Sequence, residues 1–135
     1  MVEHMEYLKM TQKEINEIIR KGGTELSKLN KLVSEHLEGL KLSKYSKNII
    51  NNTDYNCIAD VFNGLYTVEE VENFIINYYL IDEVLDDVMY IISDKGSEDY
   101  IDLYINDIVR NKCPEYSEEQ YKSICDEVEK RYNRL

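Results

Sequence analysis

The chain has 135 residues, 27 Asp+Glu against 16 Lys+Arg, a net charge of −11 and 43% hydrophobic residues. A chain of this size buries roughly two-thirds of its unfolded surface, which predicts one core and a single domain over residues 1–135. The acidic balance argues against gripping nucleic acid by its phosphates and against adsorption to an anionic membrane, and the regular return of apolar residues argues against disorder.

No segment approaches the ~18 uninterrupted apolar residues of a membrane span. Asn77, Asp82, Asp86 and Asp87 interrupt the most hydrophobic stretch. Residues 1–10 lack the basic lead and apolar run of a secretory signal. Met5 offers a second start, so Met1–His4 enter no argument. Cys57, Cys113 and Cys125 are odd in number and form no C-x-x-C pair. That usage predicts reduced thiols, a cytoplasmic protein and three small buried hydrophobes.

Taken in chain order, the apolar patterns have the helical period. A first helix is predicted over residues 3–21, with a restart at the capping box Thr11-x-x-Glu14 and a stop at Gly22-Gly23. Thr24 is an N-cap candidate for a second helix over 25–39, whose stripe is Leu26, Leu29, Leu32, Val33, His36, Leu37 and Leu40, with Gly39 at its end. A short helix falls within 43–63, with Thr53 or Asp54 as a cap and Gly64 as a stop. Thr67-x-x-Glu70 opens a long helix over 68–93. Gly96 and Ser97 punctuate the chain before a helix over 98–111 lined by Tyr100, Ile101, Tyr104, Ile105, Ile108 and Val109. After Pro114, Ser117-x-x-Gln120 opens the last helix over 118–134, striped by Tyr121, Ile124, Cys125, Val128, Tyr132 and Leu135. No stretch alternates as a half-buried strand does, so the fold class is an all-α bundle of about six helices.

The charge is not evenly spread. Residues 1–52 carry nine bases and seven acids, residues 53–109 one base (Lys95) and fourteen acids, and residues 110–135 six of each. The whole excess therefore sits in the middle segment, on and around the long helix. At 100° per residue, Phe74, Tyr78, Ile81, Leu85, Met89 and Ile92 fall on the expected core side, with Glu69, Glu72, Glu83, Asp86, Asp87 and Tyr90 opposite. Ile76, Leu80 and Ile91 lie on or beside that acidic side, so the helix is predicted to be partly central, or to present a mixed surface.

Two sharp readings of these acids compete with plain solvation of an outward face. In the first, Glu69-Glu70-x-Glu72 followed by Glu83-x-x-Asp86 resembles the paired acidic motifs of all-α nucleoside triphosphate pyrophosphohydrolases, which implies carboxylates gathered around Mg²⁺. That family sets its motifs on separate helices, whereas residues 73–82 carry no turn signal. On one straight helix Glu72 and Glu83 stand about 16 Å apart, too far to share a cation. Neither a metal nor any other cofactor is expected.

In the second reading, Glu69, Glu72, Glu83, Asp86 and Asp87 continue through Asp94, Glu98, Asp99 and Asp102 as a string of negative charge. Like charges this dense cost stability that interleaved bases would avoid, and they speed encounter with a basic cleft. The expected role is a non-enzymatic inhibitor that covers a basic, nucleic-acid-handling protein, in the manner of DNA mimics and phage anti-defence proteins. An immunity protein or antitoxin against a basic toxin is the nearest alternative. A self-assembling bundle, protected at Ile76, Leu80 and Ile91, is another. Twelve Tyr against two Phe and no Trp add aromatic contact area with a polar handle. Tyr79 and Tyr90 are the expected contacts and Tyr78 the expected core residue.

Other patterns carry less. His36 lies in the leucine stripe and reads as a satisfied core or boundary histidine, and His4 is too distant in sequence for a local metal site. Residues 58–68 resemble the first helix and turn of a helix-turn-helix with small Ala59 facing the second helix. Glu69, Glu70 and Glu72 would then lead the recognition helix, where they repel phosphate, so an ordinary helical corner is expected. No P-loop, G-x-G-x-x-G or G-x-S-x-G is present.

Overall fold

The computed structural model describes residues 7–95 and 98–135, and among these the chain is helical with no strand. The predicted start at residue 3 and the Gly96 and Ser97 signals lie outside the described residues. The helices are α1 (Gln12–Lys21), α2 (Gly23–Glu38), α3 (Lys44–Asn51), α4 (Ile58–Phe62), α5 (Val68–Ile75), α6 (Ile81–Lys95), α7 (Ile101–Lys112) and α8 (Glu118–Tyr132). A 3₁₀ turn, Tyr55–Cys57, precedes α4, and a π-helical segment, Ile76–Leu80, joins α5 to α6. Two expected helices are thus subdivided, which accounts for more helices than the six expected.

All three capping boxes form. Thr11 and Glu14 bond reciprocally ahead of α1, Thr67 and Glu70 ahead of α5, and Ser117 and Gln120 ahead of α8. Asp54 caps the 3₁₀ turn by accepting from the Asn56 N–H at 3.0 Å. Between α1 and α2 the chain turns at Gly22 (φ 70°) and Gly23 (φ 74°), a left-handed conformation that costs a side chain about 1 kcal/mol or more. The second helix therefore starts at Gly23, and Thr24 lies inside it instead of capping it.

Contacts gather the chain into two compact units. Met1–Leu42 with Ser46–Glu72 form one, and Ser43–Tyr45 with Asn73–Leu135 the other. In the first, α2 packs against α1, the 3₁₀ turn and α4. Its core holds Tyr7, Ile15, Leu29, Val33, Ile58, Ala59 and Phe62. Buried Asn30 ties α2 to the turn: its Nδ2 donates to the Asn56 carbonyl at 3.1 Å and its Oδ1 accepts the Ala59 N–H at 2.9 Å. The helical corner at residues 58–68 is accordingly docked on α2, which is where the Ala59 backbone points. His36 is buried as expected, its Nε2 2.7 Å from the Tyr66 carbonyl, with the Tyr7 and Tyr66 rings around it. Burial pushes the Tyr7 hydroxyl up to about 12, and that hydroxyl accepts the Gly64 N–H.

In the second unit α6, α7 and α8 each contact the other two. Ile76, Leu80, Ile81, Val84, Val88, Ile105, Val109, Cys113, Tyr116, Tyr121, Ile124 and Val128 form its core. The π segment sets which side of the long helical run points inward. The Ile81 N–H bonds to the Ile76 carbonyl, five residues back instead of four. One extra residue per turn rotates everything beyond it relative to a straight helix. The expected core face is therefore corrected. Tyr78 is 67% exposed and Met89 43%, while Ile76 and Leu80, expected on the acidic side, are buried. That burial also removes Ile76 and Leu80 from any surface for self-assembly.

Candidate acidic surface

The acids of the middle segment divide into three groups by what they touch. Glu72 is the clearest correction. It is buried, and it accepts a hydrogen bond from the fully buried Ser46 hydroxyl in the first unit. A carboxylate enclosed this way is part of the packing, because α3 and α5 meet around it, and it offers nothing to a partner. Glu69 stays exposed on the same unit.

A second group is neutralised within the second unit. Lys112, at the end of α7, lies 3.5 Å from Glu83 and 3.2 Å from Asp87. Partial burial lowers the Lys112 pKa, but Asp87 and then Glu83 outweigh it and hold the ammonium above its ordinary range. Burial first, and then the neighbouring Glu83, push the Tyr45 hydroxyl upward. On the other edge of α6, Arg131 of α8 lies 3.2 Å from Asp82 and 3.3 Å from Glu127. The bases missing from residues 53–109 are thus supplied to both edges of α6 by the charge-balanced C-terminal segment. Glu83 and Asp87 are exposed as expected but are already paired.

The third group is the ridge between those edges. Asp86, Tyr90 and Asp94 succeed one another at one-turn spacing on α6, with Cβ atoms ~6 Å apart. All three are exposed, Tyr90 at 74%, and neither acid forms an ion pair among the described residues. Tyr79 is half-buried, edge-on to Phe74 at 6.4 Å, whereas Tyr78 stands outward and packs on Phe74 at 4.7 Å. Along residues 68–95 the most accessible tyrosines are therefore Tyr78 and Tyr90, not Tyr79 and Tyr90.

Beyond α6, Glu98, Asp99 and Asp102 are exposed, together with Tyr100 at 57% and Leu103 at 59%. Burial first, and then the neighbouring Glu98, raise the Tyr132 pKa. Asp102 of α7 meets Glu129 of α8, and this like charge is the main cause that raises the Glu129 carboxyl above its usual range. Such a contact penalises the ionised form. It is absent below the ordinary carboxylate range, where Glu129 is protonated in both folded and unfolded chains, and is fully felt once pH exceeds the raised folded value. Glu129→Gln should therefore raise stability at pH 7 by roughly a few tenths of a kcal/mol, the scale of a screened like-charge pair, and the gain should vanish below about pH 4 in thermal melts.

Nothing in the local pattern marks Lys112, Arg131 or Glu129 as partners of the acidic segment, since each lies 25 or more residues from its contact there. The cysteines are free, with Cys113 buried and Cys125 half-buried, but Cys57 is exposed, contrary to expectation, at the junction of the 3₁₀ turn and α4. Among the described residues no group of three or more His, Cys, Asp or Glu side chains is placed to hold a metal ion, and no helix is long and apolar enough to cross a membrane. Comparison with known protein families, curated proteins and solved structures gives no match.

Proposed function

We propose that the chain is a non-enzymatic, cytoplasmic binding protein whose second unit presents an acidic, tyrosine-bearing ridge to a basic surface on a nucleic-acid-handling protein. One observation carries the reading: Asp86, Tyr90 and Asp94 stand outward in one column, while the acids on either side, Asp82, Glu83 and Asp87, are held by Arg131 and Lys112. Negative charge with no ion-pair partner among the described residues, beside a compensated border, is available to a partner's cations, and an exposed tyrosine within it supplies contact area. Inhibition follows from coverage of the partner's cationic cleft. An immunity protein facing a basic toxin uses the same chemistry. The hydrolase alternative draws on Glu69, Glu70, Glu72, Glu83 and Asp86, of which Glu72 is engaged by Ser46 and Glu83 by Lys112.

Affinity capture from the native host tests the reading, with the wild-type chain and an Asp86→Lys/Tyr90→Ala variant as baits at low and moderate salt. The expected result is a basic partner retained by the wild type at low salt, and reduced about tenfold or more by the variant or by salt. Capture indifferent to both changes overturns the electrostatic mechanism. Glu83 and Asp87 are poor positions for this test, because changing them also releases Lys112.

A further inference from the structure

We propose that Asn63 is a site of spontaneous covalent modification gated by the fold: its side-chain amide deamidates through the Gly64 nitrogen only when the first unit opens, and the product hinders the unit from closing again. The site belongs to the first unit and is independent of the acidic ridge. Asn63-Gly64 is the one Asn-Gly pair in the chain. That dipeptide is reactive because glycine has no Cβ to keep its backbone nitrogen away from the asparagine side chain. Water is the only co-reactant. The Gly64 nitrogen loses its proton and bonds to Asn63 Cγ, ammonia leaves, and a cyclic succinimide forms. Water then opens the ring at either carbonyl, giving aspartate or isoaspartate, and either product ionises and adds a negative charge.

The fold dictates the glycine and holds the two reacting groups apart. Gly64 has φ 79°, a left-handed conformation, and a Cβ there would stand 3.0 Å from Gln12 Oε1, so any other residue is strained. Asn63 ends α4 in an extended conformation (φ −62°, ψ 150°), with its amide folded back onto that helix. Nδ2 donates to the Ala59 carbonyl at 2.6 Å and to the Asp60 carbonyl at 3.2 Å, and Oδ1 accepts from Gln12 Nε2 at 2.7 Å. The attacking nitrogen is engaged elsewhere, donating to Tyr7 Oη at 3.3 Å. Burial pushes the Tyr7 hydroxyl up to about 12, so in mild alkali it stays a neutral phenol and does not withdraw the Gly64 proton. Ring closure therefore requires these bonds to be broken together, which is a local opening of the first unit around α1, α4 and Tyr7. Afterwards closing is penalised. A carboxylate at position 63 has no proton for the Ala59 and Asp60 carbonyls and repels both, and isoaspartate also adds a carbon to the main chain.

The test ages the full chain in mild alkali, native or in urea, beside a synthetic peptide of residues 58–68, and follows deamidation by peptide mapping with mass spectrometry. The native chain is expected to react about tenfold or more slowly than the peptide, and urea should bring it to within about twofold. Gln12→Ala and Tyr7→Phe each remove one restraining bond and should speed the native reaction about threefold or more. A native chain that reacts as fast as the peptide, or a rate indifferent to urea and to both variants, overturns the gate. No reaction under any condition overturns the site. The deamidated chain, separated from its parent on ion exchange by the added charge, should unfold at a lower urea concentration, and Asn63→Asp should do the same without the isoaspartyl linkage. Equal midpoints for the parent, the aged product and Asn63→Asp overturn the effect on closing.

Discussion

Leu80→Ala should lower unfolding free energy by about 2–5 kcal/mol, whereas Tyr78→Ala, two residues away, should cost about 1 kcal/mol or less. Leu80 is fully buried among Ile76, Ile81, Val84 and Val88, so truncation removes a side chain and leaves a cavity that packed neighbours fill only in part. Tyr78 is 67% exposed and loses chiefly its contact with the Phe74 ring at 4.7 Å. The order of the two effects reports the helix phase directly. Leu80 stands four and eight residues before Val84 and Val88 on the buried face of α6, and Tyr78 lies off that face. Urea unfolding of both variants decides it, and a larger loss for Tyr78→Ala would overturn the placement of Leu80 in the core and Tyr78 outside it.

Asn30→Leu is the other large change, expected to cost about 2–4 kcal/mol in the same experiment despite adding apolar volume to a buried site. The Asn30 amide serves two backbone groups at once, the Asn56 carbonyl and the Ala59 N–H. Neither is satisfied by leucine, and each buried group left without a partner carries a desolvation penalty that apolar contact does not offset. The loss should appear as an earlier transition of the first unit, since the 3₁₀ turn and α4 are the elements Asn30 fastens to α2. An Asn30→Leu chain as stable as the parent would mean that both groups find other partners.

These two residues also mark how far the sequence could be read. The helical class, the capping boxes at Thr11, Thr67 and Ser117 and the burial of His36 all follow from interactions within four residues or from apolar periodicity, which one strand of sequence displays. An angular count puts Tyr78 on the core side because it assumes a constant turn, whereas Leu80 takes the central placement that the mixed apolar surround of this helix allows. The buried positions Ile76 and Ile81, five apart, carry the slip, and exposed Asn77 within the run 75–81 does not by itself mark where the turn widens. Asn30 drew no notice, since an asparagine inside a leucine stripe is not distinguishable by pattern from one facing water. The candidate surface was legible in outline. Asp86, Asp87, Glu83, Asp94 and Tyr90 are exposed as expected, but which of them are available depended on Lys112 and Arg131, bases that come from another helix and are invisible to local counting.

Lys112 and Arg131 also change what the number −11 means. By pairing Asp82, Glu83 and Asp87 they leave the acids of α6 that form no ion pair among the described residues in a single file about 12 Å long, from residue 86 to residue 94. A file of that length has berths for only two or three cationic side chains. It selects a partner that offers them in a row along a narrow crest, and gives little purchase to one whose positive charge is spread over a broad plain. Discrimination then comes from how the counter-charges are lined up, while the total charge of the chain governs mainly how quickly the two molecules meet.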